Sequence, residues 1–155
     1  MRKINKNNYK KTMSKFATGV TIICINDKKT FIGKTVNSFA SLSLDPPLVL
    51  FALDKKASSL NKFKKSKFIG INFLSNKQKK LSDFFANKNN NSWKEVSYYL
   101  SKKNLPMIKN SIVNLSCQNI KTQICGDHIL FICKILELKF DEKLKPLIYS
   151  NKKFM

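Results

Sequence analysis

Short runs of apolar residues, rich in branched and aromatic side chains, recur along the whole chain. Groups of Asn, Asp, Lys, Ser and Pro, which are typical of turns, separate these runs. The runs predict strands at residues 20–25, 30–34, 48–53, 68–73, 111–124, 128–140 and 146–149. The sequence Asn-Asp-Lys-Lys at 26–29 predicts the turn of a hairpin. The pattern therefore indicates a mainly β protein.

Helical patterns are fewer and shorter. Residues 78–85 carry apolar side chains at helical spacing. Ser58 or Ser59, which follow the strand at 48–53, can cap the start of another short helix. Together with the strands, these segments predict a β-barrel decorated with a few short helices.

The remaining segments set the limits of the domain. Residues 1–11 form a flexible basic lead in this prediction, and a short helix or turn follows at 11–17. Residues 86–101 are polar and of low complexity, with Trp93 and the tyrosine pair at 98–99 as anchors. Because no repeat or long linker divides the 155 residues, we expect a single domain.

The net charge of +21 raises the question of a nucleic-acid partner, since lysines neutralise phosphates. Of the 30 basic residues only Arg2 is an arginine, although phosphate clamping and base reading favour the bidentate guanidinium. The lysines are scattered among many asparagines and isoleucines. A nucleic-acid-binding module is therefore the most distant of the functional alternatives.

The four cysteines, Cys24, Cys117, Cys125 and Cys133, lie in apolar, strand-like contexts without the spacing of metal-ligand pairs. They predict buried, reduced thiols, so we expect neither disulfides nor a metal site. No apolar run approaches the ~20 residues of a membrane helix. The basic N-terminal segment is not followed by the apolar core of a signal peptide. We therefore expect a cytoplasmic protein without a membrane partner.

The segment 35–50 combines small polar side chains with apolar neighbours and a double proline. Its short hydroxyl and amide side chains are Thr35, Asn37, Ser38, Ser41 and Ser43. They can bind a planar polar ligand with little loss of rotamer entropy, while the interleaved apolar residues supply a wall. Taken singly, each could instead line the polar face of an edge strand. As a group they predict a ligand cradle.

A dinucleotide-binding domain of the Rossmann type is excluded by the glycines. That domain needs Gly-x-Gly-x-x-Gly between a strand and a helix. The glycines of this chain, at positions 19, 33, 70 and 126, are too far apart to form it or a Walker loop. A dinucleotide would therefore have to bind without a dedicated domain.

Several short motifs, in this order and spacing, resemble the flavin reductase family. They are Phe-Ala-Thr-Gly-Val-Thr at 16–21, Gly-Lys-Thr-Val-Asn-Ser-Phe at 33–39, Ser-Leu-Asp-Pro-Pro-Leu at 43–48, Phe-Ile-Gly-Ile-Asn-Phe-Leu at 68–74, Phe-Phe-Ala at 84–86, Gly-Asp-His at 126–128 and Pro-Leu-Ile-Tyr at 146–149. The resemblance runs from about the first strand to the end of the chain. It implies the FMN-binding split barrel, a Greek-key-like β-barrel, and an NAD(P)H-dependent reductase.

The resemblance also assigns cofactor-binding positions. Thr35, Asn37 and Ser38 match the segment that touches the isoalloxazine ring and ribityl chain, and Ser41 and Ser43 match positions in the following turn. The loop that commonly receives the flavin phosphate matches Lys55, Ser58 and Ser59. The segment that closes over the flavin, in some relatives from the second subunit, matches Phe84, Phe85 and Ala86.

His128 matches the histidine of the family's Gly-Asp-His motif, which lies near the nicotinamide. Because hydride transfer requires chiefly close stacking of the two rings, we expect His128 to orient the nicotinamide or a phosphate, or to assist protonation of the reduced flavin. A structural hydrogen bond beside Asp127 is the competing interpretation.

The family implies a homodimer that transfers hydride from NADH or NADPH to FMN or FAD and supplies reduced flavin to a monooxygenase. A non-enzymatic protein that binds or shuttles flavin on the same fold is the alternative function. Tight retention of flavin without oxidation of the nicotinamide would distinguish it.

Overall fold

The computed structural model describes Met1 and residues 3–87 and 92–155. Residues 88–91, in the middle of the polar segment predicted at 86–101, and Arg2 lie outside the described residues. The helices are α1 (Lys6–Met13), α2 (Leu60–Lys65) and α3 (Lys79–Ala86), and a 3-10 turn at Asn76–Gln78 leads into α3. The strands are β1 (Thr18–Gly19), β2 (Thr21–Asp27), β3 (Thr30–Val36), β4 (Ala40–Ser43), β5 (Leu48–Asp54), β6 (Phe68–Phe73), β7 (Tyr98–Leu100), β8 (Pro106–Ile108), β9 (Val113–Cys125), β10 (His128–Phe140), β11 (Ile148–Ser150) and β12 (Lys153–Phe154).

A seven-stranded antiparallel sheet with the order β3-β2-β6-β9-β10-β5-β4 forms the body of the protein. The sheet curls on itself. As a result Phe39, three residues after β3, packs against Phe73 at the end of β6 with 4.7 Å between ring centroids. The inner face holds a core in which the rings of Phe51 and Phe131 stack at 4.8 Å. The predicted mainly β fold is confirmed.

A second apolar cluster covers the outer face of β2. Ile22 and Cys24 point into it, and Phe85 of α3, Trp93 and Leu147 pack over them. We call this region the outer-face cluster. Its packing depends on Gly33 in β3, because a Cβ atom there would lie 2.5 Å from the Phe85 ring. The absent side chain lets α3 approach the sheet closely.

Six of the seven predicted strands are confirmed in position, and so is the hairpin turn between β2 and β3, but the strand predicted at 146–149 begins only at Ile148. Lys28 and Lys29 occupy that turn with positive φ angles of 51° and 73°. The helix expected at 11–17 lies earlier, at Lys6–Met13, because the Asn5 side chain caps it by accepting a hydrogen bond from Asn8 N at 2.9 Å. The second half of the predicted lead is therefore helical.

The prediction that all cysteines are buried was wrong for one of them. Cys24, Cys117 and Cys133 are buried, but Cys125 is exposed because it precedes the tight β9–β10 turn. All four are free thiols. Within the described part of the chain, no group of His, Cys, Asp and Glu could hold a metal ion, and no helix is long and apolar enough to cross a membrane.

Candidate functional site

A cavity of about 520 Å³ lies where the end of β3 meets α3 and the C-terminal hairpin β11–β12. Its lining includes Thr35, Asn37, Ser82, Asp83, Ala86, Tyr149, Lys152 and Phe154. We call it the β3–α3 cavity. Its volume is that of a small-molecule site, and it contains three of the predicted cofactor-binding residues.

Thr35 joins two walls of this cavity. Its Oγ1 donates a hydrogen bond to Ser82 O in α3 at 2.7 Å, so the side chain ties the helix to the sheet. The hydroxyl oxygen keeps its capacity to accept a hydrogen bond from a ligand. Asn37, two residues later, is exposed and offers both an amide donor and an acceptor.

Ser38 is held against the neighbouring strand. Its Oγ donates to Ala52 O and accepts from Ala52 N, both at 3.0 Å, so the side chain fixes the loop after β3 to β5. Ser41 and Ser43 lie farther on, in the edge strand β4 opposite Val49 and Leu48. Ser41 and Ser43 therefore fit the alternative interpretation, in which these serines line the polar face of an edge strand. Ser38, in contrast, holds the backbone of the predicted ligand cradle in place.

The loop after β5, residues 55–59, forms a second polar region beside the tip of the β9–β10 hairpin. Lys55 N donates to Asp127 O at 3.0 Å. Lys55 and Ser58 are exposed, whereas Ser59 is buried and its Oγ has no hydrogen-bond partner among the described residues. We call residues 55–59 the anion loop, since its two lysine ammonium groups and two serine hydroxyls suit a phosphate.

His128 begins β10 opposite Asp54 of β5, which places it next to the anion loop. Its Nδ1 lies 2.7 Å from Asp127 Oδ1, and its side chain is 44% exposed. The hydrogen bond to His128, and next the charge of its ring, lower the pKa of the Asp127 carboxyl below its usual value. When Nδ1 donates to Asp127, Nε2 remains free to bind a ligand.

The side chains of the Phe84-Phe85-Ala86 segment lie partly in the core and partly at the site. Phe85 is fully buried, and its ring packs against Trp93 with centroids 4.9 Å apart. Phe84 is half-buried and meets Phe85 edge-on at 5.1 Å, while Ala86 lines the β3–α3 cavity. Ala86 therefore faces the cavity, whereas Phe84 packs against the outer-face cluster and does not line the cavity, so its contact with a flavin stays a prediction.

Five polar or aromatic residues of the cavity were missed by the sequence reasoning: Ser82, Asp83, Tyr149, Lys152 and Phe154. Tyr149 belongs to a motif quoted for the resemblance, which was a usable signal. The others had none, because only the fold brings α3 and the terminal hairpin to the end of β3. Asn151 and Lys152 form the tip of that hairpin with φ angles of 50° and 62°.

The residues present fit a flavin. The β3–α3 cavity offers volume, amide and hydroxyl groups and aromatic walls, and the anion loop offers a cation and an unpartnered buried hydroxyl for the phosphate. Residues 35–38 connect the two regions, because Ser38 bonds to β5 two residues before its end. The fold and this arrangement define a small, mainly β protein of the flavin-binding barrel class.

The comparisons with known proteins identify the family. Residues 13–155 match the model of the flavin reductase like domain, so the chain belongs to this family. The FMN reductase (NADH) SmoA of Agrobacterium fabrum is 30% identical over 97% of this chain and 85% of its own. The flavin-dependent monooxygenase reductase subunit HsaB of Mycobacterium tuberculosis is 29% identical over 92% of this chain and 76% of its own.

A solved structure gives the same result. The flavin reductase PheA2 in its native state superposes with a TM-score of 0.91 at 35% identity, and the match covers 98% of this chain and 97% of that one. The predicted family and the predicted enzyme class, NAD(P)H:flavin oxidoreductase, are confirmed. The individual site residues remain predictions.

Proposed function

We propose that this protein transfers hydride from NADH or NADPH to FMN or FAD. The observation that carries the proposal is the β3–α3 cavity together with the Ser38 hydrogen bonds to β5, the strand that leads into the anion loop, within a chain of the flavin reductase family. A flavin, when bound, supplies the hydride acceptor, so the protein contributes binding, orientation and electrostatics.

The proposed contacts follow from the geometry. Thr35 and Asn37 hydrogen-bond the flavin in the β3–α3 cavity, with Ser38, Ser41 and Ser43 shaping the adjoining turn. Lys55, Ser58 and Ser59 hold its phosphate, which the unpartnered Ser59 hydroxyl supports. Phe84 and Ala86 face the ligand, and the buried Phe85 holds them in place.

His128 orients the nicotinamide donor or its phosphate through Nε2 in this proposal. Asp127 holds the imidazole at Nδ1, which fixes the direction in which Nε2 points. A protonated ring would also favour a phosphate, and it could release its proton to the reduced product. Asp127 is a positioning residue in either case.

The protein would act in the cytoplasm as a homodimer, and its reduced flavin would serve a monooxygenase. The relative HsaB, named as a monooxygenase reductase subunit, supports this partner. Free thiols support a reducing compartment. Exposed apolar side chains on β9 and β10, among them Ile124 and Leu138, support self-association.

The test is anaerobic stopped-flow absorbance at the oxidised flavin band after mixing the protein and FMN with NADH, repeated with FAD and with NADPH. We expect bleaching well above the protein-free control, and the fastest pair names the cofactors. Flavin binding without bleaching would instead identify a flavin carrier.

A second measurement tests the anion loop. Lys55→Met removes a charged phosphate contact, so we expect the Kd for FMN to rise about tenfold. The Kd for lumiflavin, which lacks the phosphate, should not change. Lys77→Met, at an exposed lysine outside the site, is the matched control. An equal loss of affinity for both flavins would contradict a phosphate role for Lys55.

A further inference from the structure

A groove of about 270 Å³ lies on the outer face of the sheet, between the β7–β8 ribbon and the end of β10. We call it the β7–β10 groove. Among the described residues it shares no lining residue with the β3–α3 cavity. Its volume suits a ligand smaller than drug-sized compounds, whose pockets measure about 300–1,000 Å³. The residues that matter for its chemistry are Tyr99, Lys102, Met107, Ser116, Glu137 and Lys139.

The floor of the groove carries a buried hydroxyl group that lacks a partner. Ser116 in β9 is 2% exposed, and its Oγ has no hydrogen-bond partner among the described residues. Burying a hydroxyl without a hydrogen bond costs free energy, so such a group indicates a place that a ligand or a water molecule completes. Ser116 stands opposite Glu137 of β10, which puts the hydroxyl beside a charged wall.

A chain of hydrogen bonds holds the polar floor of the groove in place. The Tyr99 hydroxyl donates to Asn114 Oδ1 at 3.1 Å, and Asn114 Nδ2 donates to Asn72 Oδ1 at 2.8 Å. Asn72 Nδ2 in turn donates to Ile22 O in β2 at 3.2 Å. Because both asparagines are buried, this chain is rigid, and the groove is formed before any ligand arrives.

One carboxylate and two ammonium groups line the groove. Glu137 Oε1 lies 3.8 Å from Lys102 Nζ, which is longer than a hydrogen bond. Lys139 Nζ lies 5.1 Å from the centre of the Tyr99 ring. Burial, and next the charge of Glu137, raise the pKa of the Tyr99 hydroxyl, so this group stays neutral at neutral pH. Glu137 therefore keeps the capacity to accept hydrogen bonds from a ligand.

We propose that the β7–β10 groove binds a free α-amino acid with a small apolar side chain. The ammonium group of the ligand lies on Glu137, and its carboxylate lies on Lys139 and accepts a hydrogen bond from the Ser116 hydroxyl. The side chain packs on Met107, which is 2% exposed. A carboxylate without an ammonium group would be repelled by Glu137, and an amine without a carboxylate by the two lysines. A zwitterion finds an opposite charge for each of its own.

Equilibrium dialysis of the purified chain with L-leucine, L-valine and L-methionine tests the proposal. We expect at least one of them to occupy one site per chain with a Kd below about 1 mM. The controls are the matching compounds that lack one charge, which for leucine are 4-methylpentanoate and 3-methylbutylamine, and they should bind at least tenfold more weakly. Equal binding of these controls would overturn the inference. So would the absence of saturable binding by all three amino acids, which is the result expected of a groove that holds only water.

Substitutions at the two walls test the assignment of the charges. Glu137→Gln should weaken amino-acid binding at least tenfold, whereas 4-methylpentanoate should bind more tightly because the repelling carboxylate is gone. Glu142→Gln, at an exposed acidic residue outside the groove, is the matched control and should bind like the wild type. An equal loss of affinity in the two variants would contradict the role of Glu137.

Ser116→Ala should weaken amino-acid binding without lowering the urea midpoint, because it removes a buried hydroxyl that lacks a partner. A lower midpoint with unchanged binding would assign the hydroxyl to the fold and overturn its role in the site. The inference goes beyond hydride transfer. Since no flavin takes part in these titrations, their outcome is independent of the reductase activity.

Discussion

The outer-face cluster and the apolar end of β10, residues 136–140, are both apolar surfaces of one sheet, but the described residues cover only the first. Over β2, α3 and Trp93 approach closely because Gly33 has no side chain, and Phe85 becomes fully buried. At the end of β10, Leu138 and Phe140 remain more than half exposed. The covered region holds the candidate site together, and the open region is available to a partner.

The largest expected effect on stability is that of replacing Gly33, which should disrupt the packing of the outer-face cluster. In Gly33→Ala the new methyl would lie 2.5 Å from the Phe85 ring, so we expect a loss of about 3 kcal/mol in the free energy of unfolding. Urea denaturation measures it. Gly19→Ala is the control, because a Cβ there meets nothing within 4 Å. Equal stability of the two variants would refute the close-approach role of Gly33.

Substitutions at Phe85 and Phe84 distinguish a residue that supports the fold from a residue that contacts the ligand. Phe85→Ala should cost about 3–5 kcal/mol of stability, because it leaves a cavity beneath α3. Phe84→Ala should cost less than half of that and should weaken FMN binding in the folded protein. Urea denaturation and fluorescence titration with FMN measure the two effects. The reverse order would assign Phe85 to the ligand.

Substitutions at two leucines compare the outer-face cluster with the apolar end of β10 directly. Leu147, in the outer-face cluster, is 2% exposed, so Leu147→Ser should cost about 3 kcal/mol at every protein concentration. Leu138→Ser, at 61% exposure, should cost about 0.5 kcal/mol in dilute protein and more as concentration rises. Such a dependence is expected only of a residue in a contact between copies. A concentration-independent loss at Leu138 would argue against the open region as an interface.

The smallest expected effect concerns the number of thiols that react in the folded protein. Burial raises the pKa of Cys24 and Cys133 to about 12, and burial also raises the pKa of Cys117. We therefore expect one thiol per folded chain, Cys125, to react with a thiol reagent at pH 8, and four after unfolding. Reaction of a second thiol in the folded protein would show that the covered core opens.

Much of the fold was predictable because the strands carry local signals. The alternation and runs in β6 and β10, for example, gave their bounds directly. The burial of Phe85 beside the half-buried Phe84 had no such signal, because it depends on Gly33, 52 residues earlier in the sequence. Likewise Lys152 and Asp83 reach the β3–α3 cavity only through tertiary packing. The motifs predicted the residues that β3 contributes to the β3–α3 cavity, whereas long-range packing determines which residues form its other walls.

The hydrogen bond from Lys55 N to Asp127 O joins two loops that are more than 70 residues apart in sequence. Because Asp127 also holds the imidazole of His128, a displacement of the anion loop is transmitted to the β9–β10 turn and its histidine. The two ligands of a reductase would then not be sensed independently. If a phosphate binds at Lys55 as proposed, it would bear on the position of His128, and by linkage a ligand at His128 would bear equally on the binding of that phosphate.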